Sequence, residues 1–272
     1  MSDFIHEQQP SQLNSSVKFG KTPNGSEKVV GAWIDKEMPL AWRESVYGEG
    51  SMFKELLQYQ RSWLLSLMGE RTSFIEVGCG TCEMGAAVYQ KAKFCVQIDI
   101  NPTFLQVAKE IHEDMAACTT NYFILGEAMD DMNANLDRVM PQDFWSTTRI
   151  VCMFMNTLAI LDPVAALMRM LELAGPTGTV IAGCYHRDSF ERGISEFYSK
   201  CSFCGDINNP GTIIDIPNGN LIIPPNYESH WFTAEELRSY VDENKYDVRT
   251  EVISVGVYLI ITAKKDASEG AM

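Results

Sequence analysis

Four short stretches of this chain place acids, amides and glycines at spacings that suit a ribose-bearing ligand. The first is Phe74-Ile-Glu-Val-Gly-Cys-Gly-Thr-Cys-Glu-Met-Gly85, a β-rich run that ends in Gly-x-Gly. Gly78 and Gly80 let the backbone turn tightly and approach a ligand without a Cβ clash. Glu76 stands two residues before the first glycine, and a carboxylate there suits a ligand with an ammonium group better than a pyrophosphate. The spacing also departs from the dinucleotide fingerprint Gly-x-Gly-x-x-Gly, because position 83 is Glu and the next glycine is Gly85. The second stretch, Val96-Gln-Ile-Asp-Ile-Asn101, puts Asp99 and Ile100 at a strand end. A carboxylate there, about 20 residues after the glycine turn, can accept both hydroxyls of a ribose. The third, Phe123-Ile-Leu-Gly-Glu-Ala-Met-Asp130, sets Glu127 and Ala128 after a strand, where an adenine edge would lie. The fourth, Met153-Phe-Met-Asn-Thr-Leu-Ala-Ile160, sets Asn156 at the carboxyl end of another. Open α/β sheets hold their ligands at that end.

A second group of residues could act on whatever lies beside that ligand. Tyr185-His186-Arg187-Asp188 and Tyr227-Glu-Ser-His-Trp231 bracket a segment rich in Pro and Gly. His186 and His230 are candidate general bases, with Tyr227 beside them. Arg187 is a candidate clamp for a carboxylate, and Tyr47 and Trp231 are candidate substrate contacts. Trp33, Trp42 and Tyr47 could form an aromatic lid. Each has a structural alternative: a histidine can serve only a hydrogen bond, and an aromatic residue can serve only the core. Cys201-Ser-Phe-Cys204 is half of a zinc pattern, with Cys184 and His186 the nearest partners. The pair reads instead as ordinary packing or surface thiols, so no metal is expected.

These residues need a scaffold that alternates strands and helices. Apolar spacing predicts a helix over 51–68. Strands are predicted at Ser73–Val77, Phe94–Asp99, Tyr122–Leu125, Arg149–Met155 and Gly178–Tyr185, with helices at 83–92, 102–117 and 163–173 between them. That order implies βαβ units and a parallel sheet. The alternation breaks at 188–231, which reads as an inserted cap. Thr233-Ala-Glu-Glu236 is a capping box opening a helix to about residue 243. Two last strands, Tyr246–Ser254 and Val257–Ala263, form a hairpin. Residues 1–30 read as a flexible arm.

Glu-x-Gly-x-Gly, Ile-Asp-Ile, Gly-Glu-Ala and Asn-x-Leu in this order resemble the class I, Rossmann-like methyltransferases that use S-adenosylmethionine, of the kind acting on small molecules. The resemblance covers roughly 70–185, and the closing helix and hairpin match that family's antiparallel seventh strand. It implies an α/β, doubly wound, mostly parallel seven-stranded sheet with an antiparallel C-terminal hairpin and an inserted cap. Residues 1–50 would be an arm and lid and 51–272 the methyltransferase domain, with 188–231 covering the substrate site. It further implies S-adenosylmethionine as cofactor. Glu76, Gly78 and Gly80 would line the methionine moiety, Asp99 the ribose, Glu127 with Ala128 the adenine, Asn156 the cofactor or acceptor side, and Ile100 would also touch the cofactor. The chain has Cys82 where the family often has Gly, and Glu127 where it often has Asp. The alternatives are an NAD-type oxidoreductase, a non-catalytic cofactor-binding protein, and an aminopropyl transferase, for which Asn156 fits poorly.

Charge narrows the partners. The 272 residues carry 22 Lys and Arg against 36 Asp and Glu, a formal net charge of −14. Nucleic-acid binding rests on neutralising phosphates, so neither a nucleic acid nor an anionic membrane suits this field. No apolar run is long enough to span a bilayer. Several of the eight cysteines sit in apolar runs, as small buried hydrophobes do, so reduced thiols and a cytoplasmic setting are expected. A small, zwitterionic metabolite meets both the acidic field and Arg187.

Overall fold

The computed structural model describes residues 18–21, 27–29, 33, 36–128, 132–225 and 227–264. Its main sheet has seven strands: β1 Thr72–Val77, β2 Phe94–Asp99, β3 Asn121–Leu125, β4 Thr148–Met153, β5 Thr179–Tyr185, β6 Tyr246–Ile253 and β7 Gly256–Ala263. Their order across the sheet is β6-β7-β5-β4-β1-β2-β3. Strands β1 to β5 run parallel, and β7 is antiparallel to both β5 and β6. This is the mostly parallel, seven-stranded sheet with a C-terminal hairpin expected from the sequence.

Strand period two divides the core between the faces. Phe74, Cys95, Cys152 and Ile181 pack with helices Met38–Tyr47, Lys54–Leu67, Glu83–Val88 and Pro102–Ile111. Their neighbours Ile75, Val96, Val151 and Val180 pack with helices Met132–Asp137, Pro163–Ala174 and Ala234–Ser239. Both faces are covered, which explains why the central strands read as nearly continuous apolar runs. Each fully buried Leu, Ile or Phe among them contributes roughly 1.5–3 kcal/mol.

The helices start where their caps dictate. Asn101 accepts the Thr103 N–H at 2.8 Å, with Pro102 in the first turn. Asp162 accepts the Ala165 N–H at 3.0 Å, with Pro163 following. Both arrangements satisfy an amide that the first helical turn leaves unpaired. The single helix expected over 102–117 is two. His112 leaves helical geometry at φ −116° and ψ 58°, and Glu113–Ala117 forms a separate turn of helix. The His112 Nε2 lies 3.1 Å from the Thr81 carbonyl, a contact that ties this break to the glycine turn. The helices expected over 83–92 and 233–243 are also shorter, at Glu83–Val88 and Ala234–Ser239.

Between β5 and Thr233 the chain builds the cap. Short helical turns cover Arg187–Tyr198, and a three-stranded antiparallel sheet is made by Ile213–Asp215, Asn220–Ile223 and Tyr227–His230. Cys201 and Cys204 are joined as a disulfide there. This corrects the expectation that both are reduced thiols; the chain between them turns tightly enough to bring the sulfurs together. The other six cysteines are free. Of the expected N-terminal arm, Lys18–Lys21 pairs antiparallel with Glu27–Val29, and the remainder lies outside the described residues. Among the described residues, no helix is long and apolar enough to cross a membrane.

Candidate active site

β1 pairs with β2 on one side and with β4 on the other, so the strand order reverses at β1. The crevice beyond the carboxyl ends of β1 and β4 is the natural ligand position of such a sheet. The glycine turn fills its floor. Gly78 and Gly80 take φ +69° and +53°, and the Gly78 and Cys79 amides both donate to the Ile98 carbonyl, at 2.8 and 3.0 Å. A Cβ on Gly78 would stand 2.5 Å from the Thr157 Cγ2, and one on Gly80 would stand 3.2 Å from the Trp42 ring. Only glycine meets both demands, the left-handed backbone and the close approach.

Asp99, at the end of β2, is buried and presents its carboxylate to the crevice wall. One oxygen accepts the Gly80 N–H at 2.8 Å and the other the Asn101 N–H at 2.9 Å. A carboxylate has about four acceptor positions, so capacity remains for two ligand hydroxyls. Burial pushes its pKa from 3.8 up to about 6, and the amides of Asn101, Gly80 and Ile100 oppose that rise. The folded apo chain therefore holds this proton more tightly than the unfolded chain. Stability from this group is fully present below the ordinary carboxylate range and is lost as pH rises through about 6. At neutral pH the ionised group costs the apo fold about 3 kcal/mol, and hydroxyl donors would relieve it. Affinity for a ribose ligand should accordingly fall about tenfold per pH unit below about 6. Calorimetry with S-adenosylhomocysteine from pH 5 to 8 checks this. Asp99→Asn should flatten the profile, and a steep profile in that variant would move the titration elsewhere, Glu76 first.

Above the turn, the crevice encloses about 950 Å3, part of it open to solvent. Gly78, Gly80, Asp99, Ile100, Gly126 and Ala128, from three of the four sequence stretches, build one part of its lining. Asn156 and Thr157 from the fourth close the side. Another part is aromatic: Trp33, Tyr185, Phe197, Phe203 and Tyr227 line it. Trp33, Phe203 and Tyr227 have ring centroids 6.1 to 6.3 Å apart and form one wall. Of the charged residues, only Asp99 and Glu228 line the cavity among the described residues.

No protein-family model and no curated protein matches the sequence. Solved structures match it over most of its length. A SAM-dependent methyltransferase of Anabaena variabilis is 10% identical, covering 93% of this chain and 99% of its own, with a TM-score of 0.54. A SAM-dependent methyltransferase of Thermotoga maritima, a possible histamine N-methyltransferase, is 13% identical, covering 85% and 99%, with a TM-score of 0.52. The magnesium protoporphyrin IX methyltransferase of Synechocystis, solved with bound SAH, is 12% identical, covering 81% and 90%, with a TM-score of 0.50. The chain has the class I methyltransferase fold. The remaining residues named from the sequence can be placed around the crevice at β1, β2 and β4.

In this methyltransferase fold Glu76 lies beneath the turn and does not line the cavity. It shares a sheet face with Phe74, and its carboxyl accepts the Gly85 N–H while its Oε2 has no hydrogen-bond partner among the described residues. Burial raises its pKa well above the usual carboxylate range, and Asp99 and Glu83 add to the rise. Glu127 is half-buried between Gly126 and Ala128, which line the cavity while it does not. Asn156 adopts φ +68°, and all its side-chain bonds go to protein. Its amide donates to Ser229 Oγ at 3.2 Å and to the His230 carbonyl at 3.0 Å, and its oxygen accepts the Tyr185 N–H at 3.2 Å.

Of the candidate bases, carboxylate clamp and substrate contacts, Tyr227 alone lies on the wall, and of the lid candidates Trp33 and Trp42 do. His230 turns toward helix Ala234–Ser239, where its Nδ1 lies 2.6 Å from Asn220 Oδ1 and its Nε2 2.7 Å from Glu236 Oε1. Arg187 pairs with the same Glu236 and donates to the Trp231 carbonyl at 3.1 Å. Burial alone would raise the Glu236 carboxyl, but His230 and Arg187 hold it below its ordinary value. Glu236 therefore serves this cluster, although Thr233 still caps the helix at 3.1 Å as the capping box predicts. His186 donates its backbone N–H to Val255, and its ring is 4.0 Å from the Asp188 carboxylate. Trp231 is buried behind Tyr185, with centroids 4.9 Å apart, and donates to Tyr198 Oη at 3.0 Å. Tyr47 stands edge-on behind Trp42, 5.4 Å away. Sequence reasoning did not single out Phe104, Thr157, Phe197, Phe203 or Glu228, all of which line the cavity. Glu228 adjoins Tyr227, and Phe203 lies inside the Cys201–Cys204 pair, so neighbours of the named residues were the available signal.

Proposed function

We propose that this protein is an S-adenosylmethionine-dependent methyltransferase acting on a small molecule. The observation that carries the proposal is the meeting of a glycine cradle and a buried carboxylate, Asp99, at the floor of one capped cavity. The cofactor, when bound, supplies an electrophilic methyl group on a sulfonium. Gly78 and Gly80 leave room for its methionine portion, Asp99 accepts from its ribose, and Ile100, Gly126 and Ala128 flank its adenine. The aromatic end holds the acceptor in line and keeps water out, so positioning supplies much of the rate. A cavity under a cap, only partly open to solvent, suits a metabolite better than a polymer, and the charge of −14 argues in the same direction. In this reading residues 1–50 form a lid, 51–272 the methyltransferase domain, and 188–231 the part that selects the acceptor. A cytoplasmic setting belongs to it too; six free cysteines favour it and the Cys201–Cys204 disulfide counts against it.

The sequence suggested a zwitterionic acceptor held by Arg187. Arg187 is engaged by Glu236 away from the wall, so that support is withdrawn. The similar structures leave the acceptor open, since one acts on a magnesium porphyrin and another is a possible histamine methyltransferase. Calorimetry with S-adenosylmethionine, S-adenosylhomocysteine and NAD tests the cofactor. Micromolar binding of the first two and none of NAD is expected; binding of NAD alone would sink the proposal.

A further inference from the structure

We infer that the acceptor is an amine carried on an aromatic or apolar body, methylated on nitrogen. This rests on the cofactor assignment above and adds the chemistry of the other half of the cavity. The acceptor end offers ring surface from Trp33, Phe203, Tyr227, Phe197 and Tyr185. No Lys, Arg or His lines the cavity among the described residues, so a carboxylate or phosphate on the acceptor would be desolvated without a counter-charge. An ammonium meets the opposite conditions. Aromatic faces attract it, the charged lining residue next to Tyr227 is an acid, Glu228, and the net charge of −14 draws cations toward the protein.

The reaction itself selects against hydroxyl acceptors. An alcohol or phenol must lose its proton to become a good nucleophile, which calls for a positioned base. His230 and His186 lie off the wall, and His230 has an acceptor at each ring nitrogen. Tyr185 and Tyr227 do line the cavity, but burial raises both hydroxyls well above the ordinary phenol range, leaving them neutral. The bound ammonium first gives one proton to water, which leaves a neutral amine that is a good nucleophile without a positioned base. Its nitrogen lone pair forms the bond to the methyl carbon while the carbon–sulfur bond breaks, and that bonding pair stays on sulfur as a thioether. The positive charge passes from sulfur to nitrogen, and the product leaves as an N-methylated ammonium, so one proton is released per turnover and no anionic nucleophile is needed.

The test uses the full chain saturated with S-adenosylhomocysteine. Calorimetry compares phenethylamine and tryptamine with their carboxylate counterparts, 3-phenylpropanoate and indole-3-propanoate. The amines should bind about tenfold or more tightly than the carboxylates, the scale of a desolvated cation–π contact. Phe203→Leu and Trp33→Leu should each weaken the amines about fivefold or more, while affinity for S-adenosylhomocysteine stays within about twofold. With labelled S-adenosylmethionine, the label should appear on nitrogen of an amine and not on oxygen of a matched phenol. If S-adenosylhomocysteine binds but the carboxylates bind as well as the amines, or neither class binds, the amine inference is overturned and the cofactor assignment stands. If S-adenosylhomocysteine does not bind, both fall.

Discussion

Asp99→Ala should lower the affinity for S-adenosylhomocysteine by about 10- to 100-fold at pH 8, the worth of charge-assisted hydrogen bonds at about 1.5–3 kcal/mol. The side chain has two duties at one place. Toward the protein it accepts from Gly80 and Asn101, holding the end of the glycine turn against the start of helix Pro102–Ile111. Toward the cavity it offers its remaining lone pairs. Alanine removes both, while asparagine keeps the shape and one acceptor. Asp99→Asn should therefore bind more tightly than Asp99→Ala and still more weakly than the parent chain. The apo stability answers to two opposed effects. A group whose folded pKa is raised to about 6 burdens the fold when ionised, and Asp99→Asn lifts that burden at pH 8, but its NH2 group would face the Gly80 or the Asn101 N–H and leave one of them unpaired, so the variant should melt close to the parent there. An unchanged affinity in Asp99→Ala would refute the ribose role.

Gly78→Val should abolish measurable cofactor binding. The new Cβ would meet Thr157 Cγ2 at 2.5 Å and its Oγ1 at 3.0 Å, and φ +69° is strained for any branched residue. Thr157 cannot swing aside freely, because its hydroxyl donates to the Phe154 carbonyl at 2.8 Å at the start of the turn Thr157–Ile160. Gly78→Ala combined with Thr157→Ala should recover part of the binding. It removes the two nearest atoms and leaves the backbone strain, of order 1–3 kcal/mol. Circular dichroism separates the cases: a folded Gly78→Val variant with normal S-adenosylhomocysteine affinity would show that the turn is not the site.

The sheet and its glycine turn were legible because their signals are local. Strand alternation, Pro102 and Pro163 at helix starts, and Asp99 at the end of β2 each depend on neighbours in the chain. The break at His112 was not legible, since its partner is the Thr81 carbonyl on another element. The same holds for the aromatic wall, where Trp33, Phe203 and Tyr227 come from distant parts of the chain. His230 and Arg187 looked suited to chemistry because their types are. Their neighbour Glu236 claims both, and its spacing from Thr233 announced only a helix cap. Residue type therefore pointed to the Gly78, Gly80 and Asp99 end of the cavity and missed most of the aromatic end, since the first is built from backbone turns and the second from side chains converging in space.

Asn156 has a consequence for traffic through the protein. One amide fastens the Tyr227–His230 strand to the ends of β4 and β5. Ser229 is held a second time, by the Tyr198 hydroxyl at 2.7 Å. A panel riveted at these points is part of the frame and cannot also be the door. Trp33 leans on that same panel, its ring 6.3 Å from that of Tyr227, and its backbone carbonyl accepts from the Asn101 side-chain amide at 2.9 Å. Asn101 in turn donates its backbone N–H to Asp99 at 2.9 Å, so the frame runs from Asn156 through the aromatic wall to the buried carboxylate, and a change at either end is felt along it.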